Sequence, residues 1–338
     1  MFRSIGLLAL MLIGSFVCLA VQADAHPINT HPELPGYIDT LVAEHQFNRA
    51  ELEALFADVP VRQDIIDKIS RPAERVWTWG RYKGHLVDPA RVKAGVAFWT
   101  EHADTLARAQ QVYGVPPEII LAILGVETRY GQITGSYPVV EALSTLGFAY
   151  PPRAKFFRKE LTQFLLLARE EGMAPLTLNG SYAGAMGYGQ FIPSSYRHYA
   201  VDFDDDGLRD IWHNPVDAIG SIGNYFARHR WAGAQPVAIA LTPTEVLAAG
   251  RYDTGLKLHT SVGQLQAQGL VPEDIGVAAE TPARIYQVEG GQGLEYWLAL
   301  PDFYVITRYN HSHLYALAIH HLAQDIKALR HAQRRLAQ

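Results

Sequence analysis

Thiols are nearly missing from this chain. Cys18 is the one cysteine in 338 residues, so no internal disulfide can form, and stability must come from a buried apolar core or a bound metal. The 14 histidines include no His-Glu-x-x-His. His311-Ser312-His313 does not set two ligands on one helical face, which leaves a metalloprotease as the weakest reading. There is no Walker loop and no Gly-x-Ser-x-Gly elbow, and Gly291-Gln292-Gly293 reads as a hairpin turn. Excess positive charge is lacking too: 29 Lys and Arg face 34 Asp and Glu, a net charge of −5. That mild acidity offers no footprint for nucleic acid. Internal repeats and low-complexity linkers are absent.

One long apolar run is present, at the start. Arg3 precedes Ile5 to Val21, a stretch broken only by Gly and Ser, and Ala23-Asp24-Ala25 supplies small residues for a signal peptidase. Residues 1–25 therefore read as an export signal, which places the mature chain in the periplasm. A membrane-spanning helix is the alternative, but the run barely reaches bilayer length and has no flanking basic cluster. Lipidation at Cys18, with anchoring to the outer membrane, is the lesser reading because Val17 stands where a lipoprotein signal wants a small residue. Cleavage after Ala25 removes Cys18, Arg3 and Asp24, leaving the net charge at −5. About 310 residues then remain, enough for two domains or one elaborated domain with a sizeable core.

Most of the chain has helical patterning. Asn48 with Glu51 has capping-box spacing ahead of Leu52, Leu55 and Phe56. Asp88-Pro89 starts a helix expected to run to Gly114, and Pro116 starts another ending near Gly131. Further helices are expected at 138–147, 153–171, 215–229 (after Asn214-Pro215) and 314–332. After Trp231 the character changes. Gln235–Leu241, Arg284–Val288, Leu294–Leu300 and Tyr304–Thr307 read as short strands, with Gly290-Gly291 as a turn. The expected architecture is mainly α with some β: an N-terminal helical region at 26–90, a helical core at 91–234 and 303–338, and a small β-rich insertion at 235–302.

One carboxylate interrupts an apolar stripe. Ile120, Ile123, Leu124 and Glu127 fall at i, i+3, i+4 and i+7, so Glu127 shares a face with three large aliphatic side chains. Loss of hydration there raises a carboxyl pKa. A carboxylic acid still protonated near neutrality is what glycoside cleavage needs, because a glycosidic oxygen is a very poor base. Periodicity alone favours a core-edge Glu paired with Arg129 or another cation. From Asn179 to Phe191 the chain is dense in glycine and aromatics. Glycine lets backbone approach a ligand, and Tyr and Phe can stack on sugar faces. Met186 offers an adaptable wall there, and Gln190 an amide for sugar hydroxyls or acetamido groups.

Asp202-Phe203-Asp204-Asp205-Asp206-Gly207-Leu208 fits the first half of an EF-hand loop. Carboxylates stand at positions 1, 3 and 5, glycine at 6, and the Leu208 carbonyl at 7. Position 12 is His213 rather than Glu, and Asp217 is the available substitute. Three crowded carboxylates repel one another, and a divalent cation would relieve this. The expected ion is structural Ca2+, with no organic cofactor. An acidic solvated turn is the plainer alternative.

Gly125-Val126-Glu127-Thr128-Arg129-Tyr130-Gly131, the Gly180–Tyr196 stretch, the Asp202 loop and Pro301–Ser312 together resemble the lytic murein transglycosylase B family, in the family's order, from about Ala73 to the C-terminal helix. The resemblance implies a lysozyme-like core flanked by a helical domain and a small β domain. It also implies cleavage of the β-1,4 bond between N-acetylmuramic acid and N-acetylglucosamine in peptidoglycan glycan strands, leaving 1,6-anhydromuramic ends. Glu127 takes the position of the catalytic glutamate. Ser181, Gln190, Phe191, Tyr225, Asn310 and Tyr315 take cleft positions, and Asp202, Asp204, Asp206, the Leu208 carbonyl and Asp217 the calcium positions. Asp217 comes one residue later than the family's spacing. Where the family reads Tyr-Pro-Arg-Arg, with arginines on the stem peptide, this chain reads Tyr150-Pro151-Pro152-Arg153, so Arg153 alone is kept. A monomer at the membrane periphery or in cell-wall enzyme complexes is the implied setting. A hydrolytic muramidase and a non-catalytic peptidoglycan-binding protein are the competing readings, separated by the product's ends and by loss of activity on mutating Glu127.

Overall fold

A computed structural model describes residues 27–71, 77–233 and 236–336. The expected export signal at 1–25 and Cys18 lie outside the described residues, as does the Gln235 start of the first expected strand.

The chain is mostly helical, and several helix starts follow from local chemistry. Asn48 accepts from the backbone N–H of Ala50 and Glu51 ahead of Arg49–Phe56. Asp88 accepts from Arg91 N at 2.9 Å with Pro89 in the first turn. Asn214 accepts from Val216 N with Pro215 behind it. Each side chain satisfies a donor that the first helical turn leaves open. The helix expected from Asp88 to Gly114 is two helices, Pro89–Glu101 and Ala103–Tyr113. The break falls at His102, whose φ of −111° and ψ of 31° leave the helical region.

The body is built from Pro117–Thr128, Val139–Phe148, Ala154–Glu170, Pro215–Arg228, Pro301–Tyr309 and His313–Leu336. Pro117–Thr128 is central: Ile119 through Gly125 are all buried, so this helix is apolar on every side except at its C-terminal end. The long terminal helix His313–Leu336 packs along it.

Between Arg228 and Pro301 the chain makes a four-stranded antiparallel sheet. Its spatial order is Ala238–Leu241, Gly293–Ala299, Pro282–Gly290, Thr260–Ser261. Pro282–Gly290 and Gly293–Ala299 form a hairpin with Gly290 paired to Gly293, as the Gly-Gly signal suggested. Alternation divides the two faces. Tyr286, Val288, Trp297 and Ala299 join the core of the body, while Ala283, Ile285, Tyr296 and Leu298 enclose a second core with Leu247, Val262 and Leu265.

One expected strand is a helix. Tyr304–Thr307 lies inside Pro301–Tyr309. The run Val-Ile-Thr favours strand by propensity, but Pro301 sits in the first turn and Phe303, Ile306 and Thr307 are buried at helical spacing. Asp302 is buried and accepts from Ala232 N and Gly233 N at 2.8 Å each. That contact ties the exit of the β-rich insertion to its entry.

Candidate active site

Glu127 sits in the last turn of Pro117–Thr128. Ile120, Ile123 and Leu124 on its stripe are wholly buried, and Glu127 itself is half-buried. The Tyr315 hydroxyl donates to Glu127 Oε1 at 2.5 Å. Tyr315 comes from the first turn of the terminal helix, 188 residues further along the chain. Burial first, and then the Glu127 charge, push both the Tyr315 and Tyr309 phenols well above their ordinary pKa. Both therefore stay protonated and donate. Glu118, at the other end of the same helix, has its Oε1 2.7 Å from Lys327 Nζ.

The helix ends abruptly. Arg129, Tyr130 and Gly131 all have positive φ, at 50°, 60° and 86°. Such a run costs energy for non-glycine residues, and tertiary bonds hold it in place. Tyr130 Oη donates to Arg91 O at 3.0 Å. Thr128 Oγ1 donates to Tyr188 O at 2.9 Å and accepts from Gly131 N at 3.0 Å. Gly131 allows the close approach, because a Cβ there would lie 2.1 Å from the Tyr188 ring. Arg129 Nη2 stands 4.0 Å from Asp88 Oδ2.

Tyr188 belongs to the glycine-rich loop. Met186 and Phe191 close that loop by two reciprocal backbone bonds of 2.9 and 3.0 Å. Ser181 Oγ accepts from Ala183 N and Ala185 N at the loop's base. Gln190, with φ at 51°, donates from Nε2 to Thr134 O and Gly187 O at 3.0 and 2.9 Å. Its amide nitrogen is thus committed to the fold, leaving the amide oxygen to accept from a ligand. Met186 is completely buried, so it supports the loop from beneath instead of forming the adaptable wall expected from the sequence.

Phe191 and Tyr225 do meet, with ring centroids 5.8 Å apart. Tyr309 packs among them, tilted at 5.9 Å from Phe191 and edge-on at 4.8 Å from Tyr225, and its hydroxyl donates to Gly189 O at 2.5 Å. Tyr309 joins the carboxylate to the loop, yet sequence reasoning passed over it. The available signal was its place immediately before Asn310 in the Pro301–Ser312 motif. Asn310 is exposed in the turn between the last two helices. Arg153 is placed elsewhere, exposed at the start of Ala154–Glu170, its guanidinium 4.4 Å above the Phe156 ring. Lys155 and Lys159 share its shallow depression.

In the acidic loop, carboxylate oxygens of Asp202, Asp204 and Asp217 lie within 4.8 Å of one another. Asp217 is wholly buried and accepts from Phe203 N at 2.6 Å and Asp210 N at 2.8 Å. Burial, helped by the Asp204 and Asp202 charges, raises its pKa to about 6 in spite of those donors. An all-oxygen, mutually repelling trio around a buried acid suits a hard divalent cation. Asp206 is not in this trio: its Oδ1 accepts from Leu208 N at 2.9 Å. The Leu208 side chain is exposed.

Comparison with known proteins follows the same lines. A family model described as the transglycosylase SLT domain matches residues 30–324. The membrane-bound lytic murein transglycosylase B of Escherichia coli is 42% identical over 312 residues, covering 89% of this chain and 84% of that protein. The soluble lytic transglycosylase SltB1 of Pseudomonas aeruginosa superposes with a TM-score of 0.84 at 48% identity, covering 88% of this chain and 99% of the other. The E. coli lytic transglycosylase Slt35, solved in complex with calcium, gives 0.82 at 42% identity over 89% and 94% of the two chains.

Proposed function

The chain belongs to the lytic murein transglycosylase B family, and on that premise we propose that Glu127 is the proton donor and acceptor of its reaction. The family's activity is cleavage of the β-1,4 bond between N-acetylmuramic acid and N-acetylglucosamine with formation of 1,6-anhydromuramic ends. The observation that carries the assignment is the contact from Tyr315 Oη to Glu127 Oε1 at the open end of an otherwise buried helix.

Glu127 first gives its proton to the leaving O4 of N-acetylglucosamine as the C1–O4 bond breaks. Positive charge develops at C1 of the muramic residue, and its own 2-acetamido oxygen stabilises that charge, as in substrate-assisted glycosidases. The ionised Glu127 then takes the proton of the C6 hydroxyl while that oxygen bonds to C1. No water is consumed, and the acid returns protonated. Tyr315 fixes the carboxyl plane through Oε1. Ser181, Gln190, Phe191, Tyr225 and Asn310 shape the cleft, with Arg153 facing the stem peptide.

Asp202, Asp204, Asp206 and Asp217 would hold a calcium ion with the Leu208 carbonyl, Asp206 through the oxygen that Leu208 N does not occupy. The ion's chemistry is structural: it offsets the charge of the trio. Residues 1–25 direct the chain to the periplasm, where its substrate lies.

Mass spectrometry of digested peptidoglycan tests the assignment. The wild-type protein releases muropeptides one water lighter than hydrolysis would give, and Glu127→Gln releases none while melting at the wild-type temperature. Reducing ends in place of anhydro ends would make the enzyme a muramidase. Retained activity in Glu127→Gln would remove Glu127 from the chemistry.

A further inference from the structure

The insertion holds a cavity of about 520 Å3, lined on its polar side by Arg251, His259, Gln264, Gln268 and Arg284. Leu265, Leu270 and Ile285 give it an apolar wall. Arg284 is 4% exposed. Its Nη1 donates to Lys257 O at 2.8 Å and lies 3.2 Å from His259 Nδ1. Its Nη2 reaches the Asp253 carbonyl and carboxylate. Its Nε is buried with no partner among the described residues. A guanidinium N–H left unmatched in a buried position is costly, and an acceptor entering the cavity would satisfy it.

The other groups suit the same acceptor. Arg251 stands exposed at the rim, so two arginines oppose the single carboxylate of Asp253. Gln264 turns its Oε1 toward Ser261 N and Thr260 Oγ1, at 3.1 and 2.9 Å, which leaves its amide nitrogen to donate. Donors beside an apolar wall match a carboxylate on a short aliphatic peptide. A relay of ring contacts leads from the cavity lining to the terminal helix. The Arg284 guanidinium lies 5.4 Å from the Tyr286 ring centre, and Tyr286 stacks on His313 at 4.9 Å, two residues before Tyr315.

We propose that this cavity is a second substrate site, binding a free carboxylate of a peptidoglycan stem peptide while the glycan lies at Glu127. The proposal rests on the reading of the protein as a peptidoglycan-cleaving enzyme. Its test needs no turnover, so the two can fail separately: product masses from the wild-type protein judge the cleavage, and binding to Glu127→Gln judges the cavity.

The probe is the tripeptide L-alanyl-γ-D-glutamyl-diaminopimelate, titrated into Glu127→Gln by calorimetry and by amide NMR. Saturable shifts are expected at residues 251–270 and at Arg284. Arg251→Glu and Gln268→Glu, both at exposed positions, are each expected to raise Kd tenfold or more without changing the melting temperature. Esterifying the peptide's carboxylates is expected to abolish binding. Shifts confined to other residues, unchanged Kd in both variants, or equal binding of the ester would overturn the proposal. So would equal binding of an all-L peptide of the same charge, which would give the cavity to a protein tail.

Discussion

At the scale of single residues, one hydroxyl decides how Glu127 is presented. Tyr315 Oη is buried and held protonated by burial and by the facing charge, so its proton is always directed at Oε1. Tyr315→Phe removes that donor with little change in volume. A hydrogen bond to a charged group is worth about 1.5–3 kcal/mol, so kcat is expected to fall roughly 10- to 100-fold. Steady-state kinetics on purified glycan strands checks this, with circular dichroism confirming the fold. An unchanged kcat would reduce Tyr315 to packing. Glu127 was legible in the sequence because helical periodicity is local: four residues within eight positions put an acid on an apolar stripe. Tyr309 was not, because its contact with Gly189 O spans 120 residues and no spacing rule reaches that far. Met186 was read as a wall because its neighbours are glycines and aromatics. Only tertiary packing shows that its side chain is completely buried.

At the scale of elements, the acidic loop and the catalytic helix are connected by backbone. Asp217 holds Asp210 N, Ile211 O accepts from Tyr188 N at 2.9 Å, and Tyr188 O accepts from Thr128, the neighbour of Glu127. Three carboxylates without a cation repel one another at the start of this chain of contacts. Asp217, raised to about 6, binds its proton more tightly folded than unfolded, where its pKa is near 3.8. In metal-free protein that contribution to stability is complete below about 3.8 and disappears as pH rises through 6. The loss is on the order of 1–3 kcal/mol. Calcium reverses it by favouring the ionised form. The melting-temperature gain on adding calcium to chelated protein is therefore expected to grow from pH 4 to 7, and Asp217→Asn is expected to abolish most of that growth. A pH-independent gain would place the ion elsewhere. The first half of the loop was legible because EF-hand spacing is contiguous. Asp217 was legible only as the substitute for the missing Glu at position 12; that it reaches the loop as a buried acid from the next helix shows only in the packing. Propensity misled at Tyr304–Thr307, where β-branched residues are helical because burial outweighs a preference whose whole scale spans about 1 kcal/mol.

At the scale of the whole molecule, three parts of the chain meet at a small aromatic cluster. Trp79 comes from the N-terminal helices, Trp297 from the sheet, and His320 and His321 from the terminal helix. His321 lies 5.4 Å from Trp79 and 4.8 Å from Trp297, while both indole N–H groups donate to Glu295 Oε2 at 3.0 and 3.1 Å. Glu295 and Lys83 are the charged groups facing the cluster. Burial lowers the His320 pKa to about 4 and, with Lys83 and His320 nearby, the His321 pKa to about 3. Both rings are therefore neutral when folded and protonate first in the unfolded chain, near 6.5. Their contribution is complete above 6.5 and is lost as pH falls toward 4 and 3, because the unfolded state then binds more protons. The effect is on the order of a few kcal/mol, opposite in sign to that of metal-free Asp217. With calcium bound, urea midpoints are expected to fall steadily from pH 6.5 to 4.5, with tryptophan fluorescence reporting the transition. His321→Phe, which keeps a ring between the two indoles, is expected to flatten much of that slope. A slope unchanged in His321→Phe and in His320→Phe would show that acid opens the molecule somewhere other than where its three parts join.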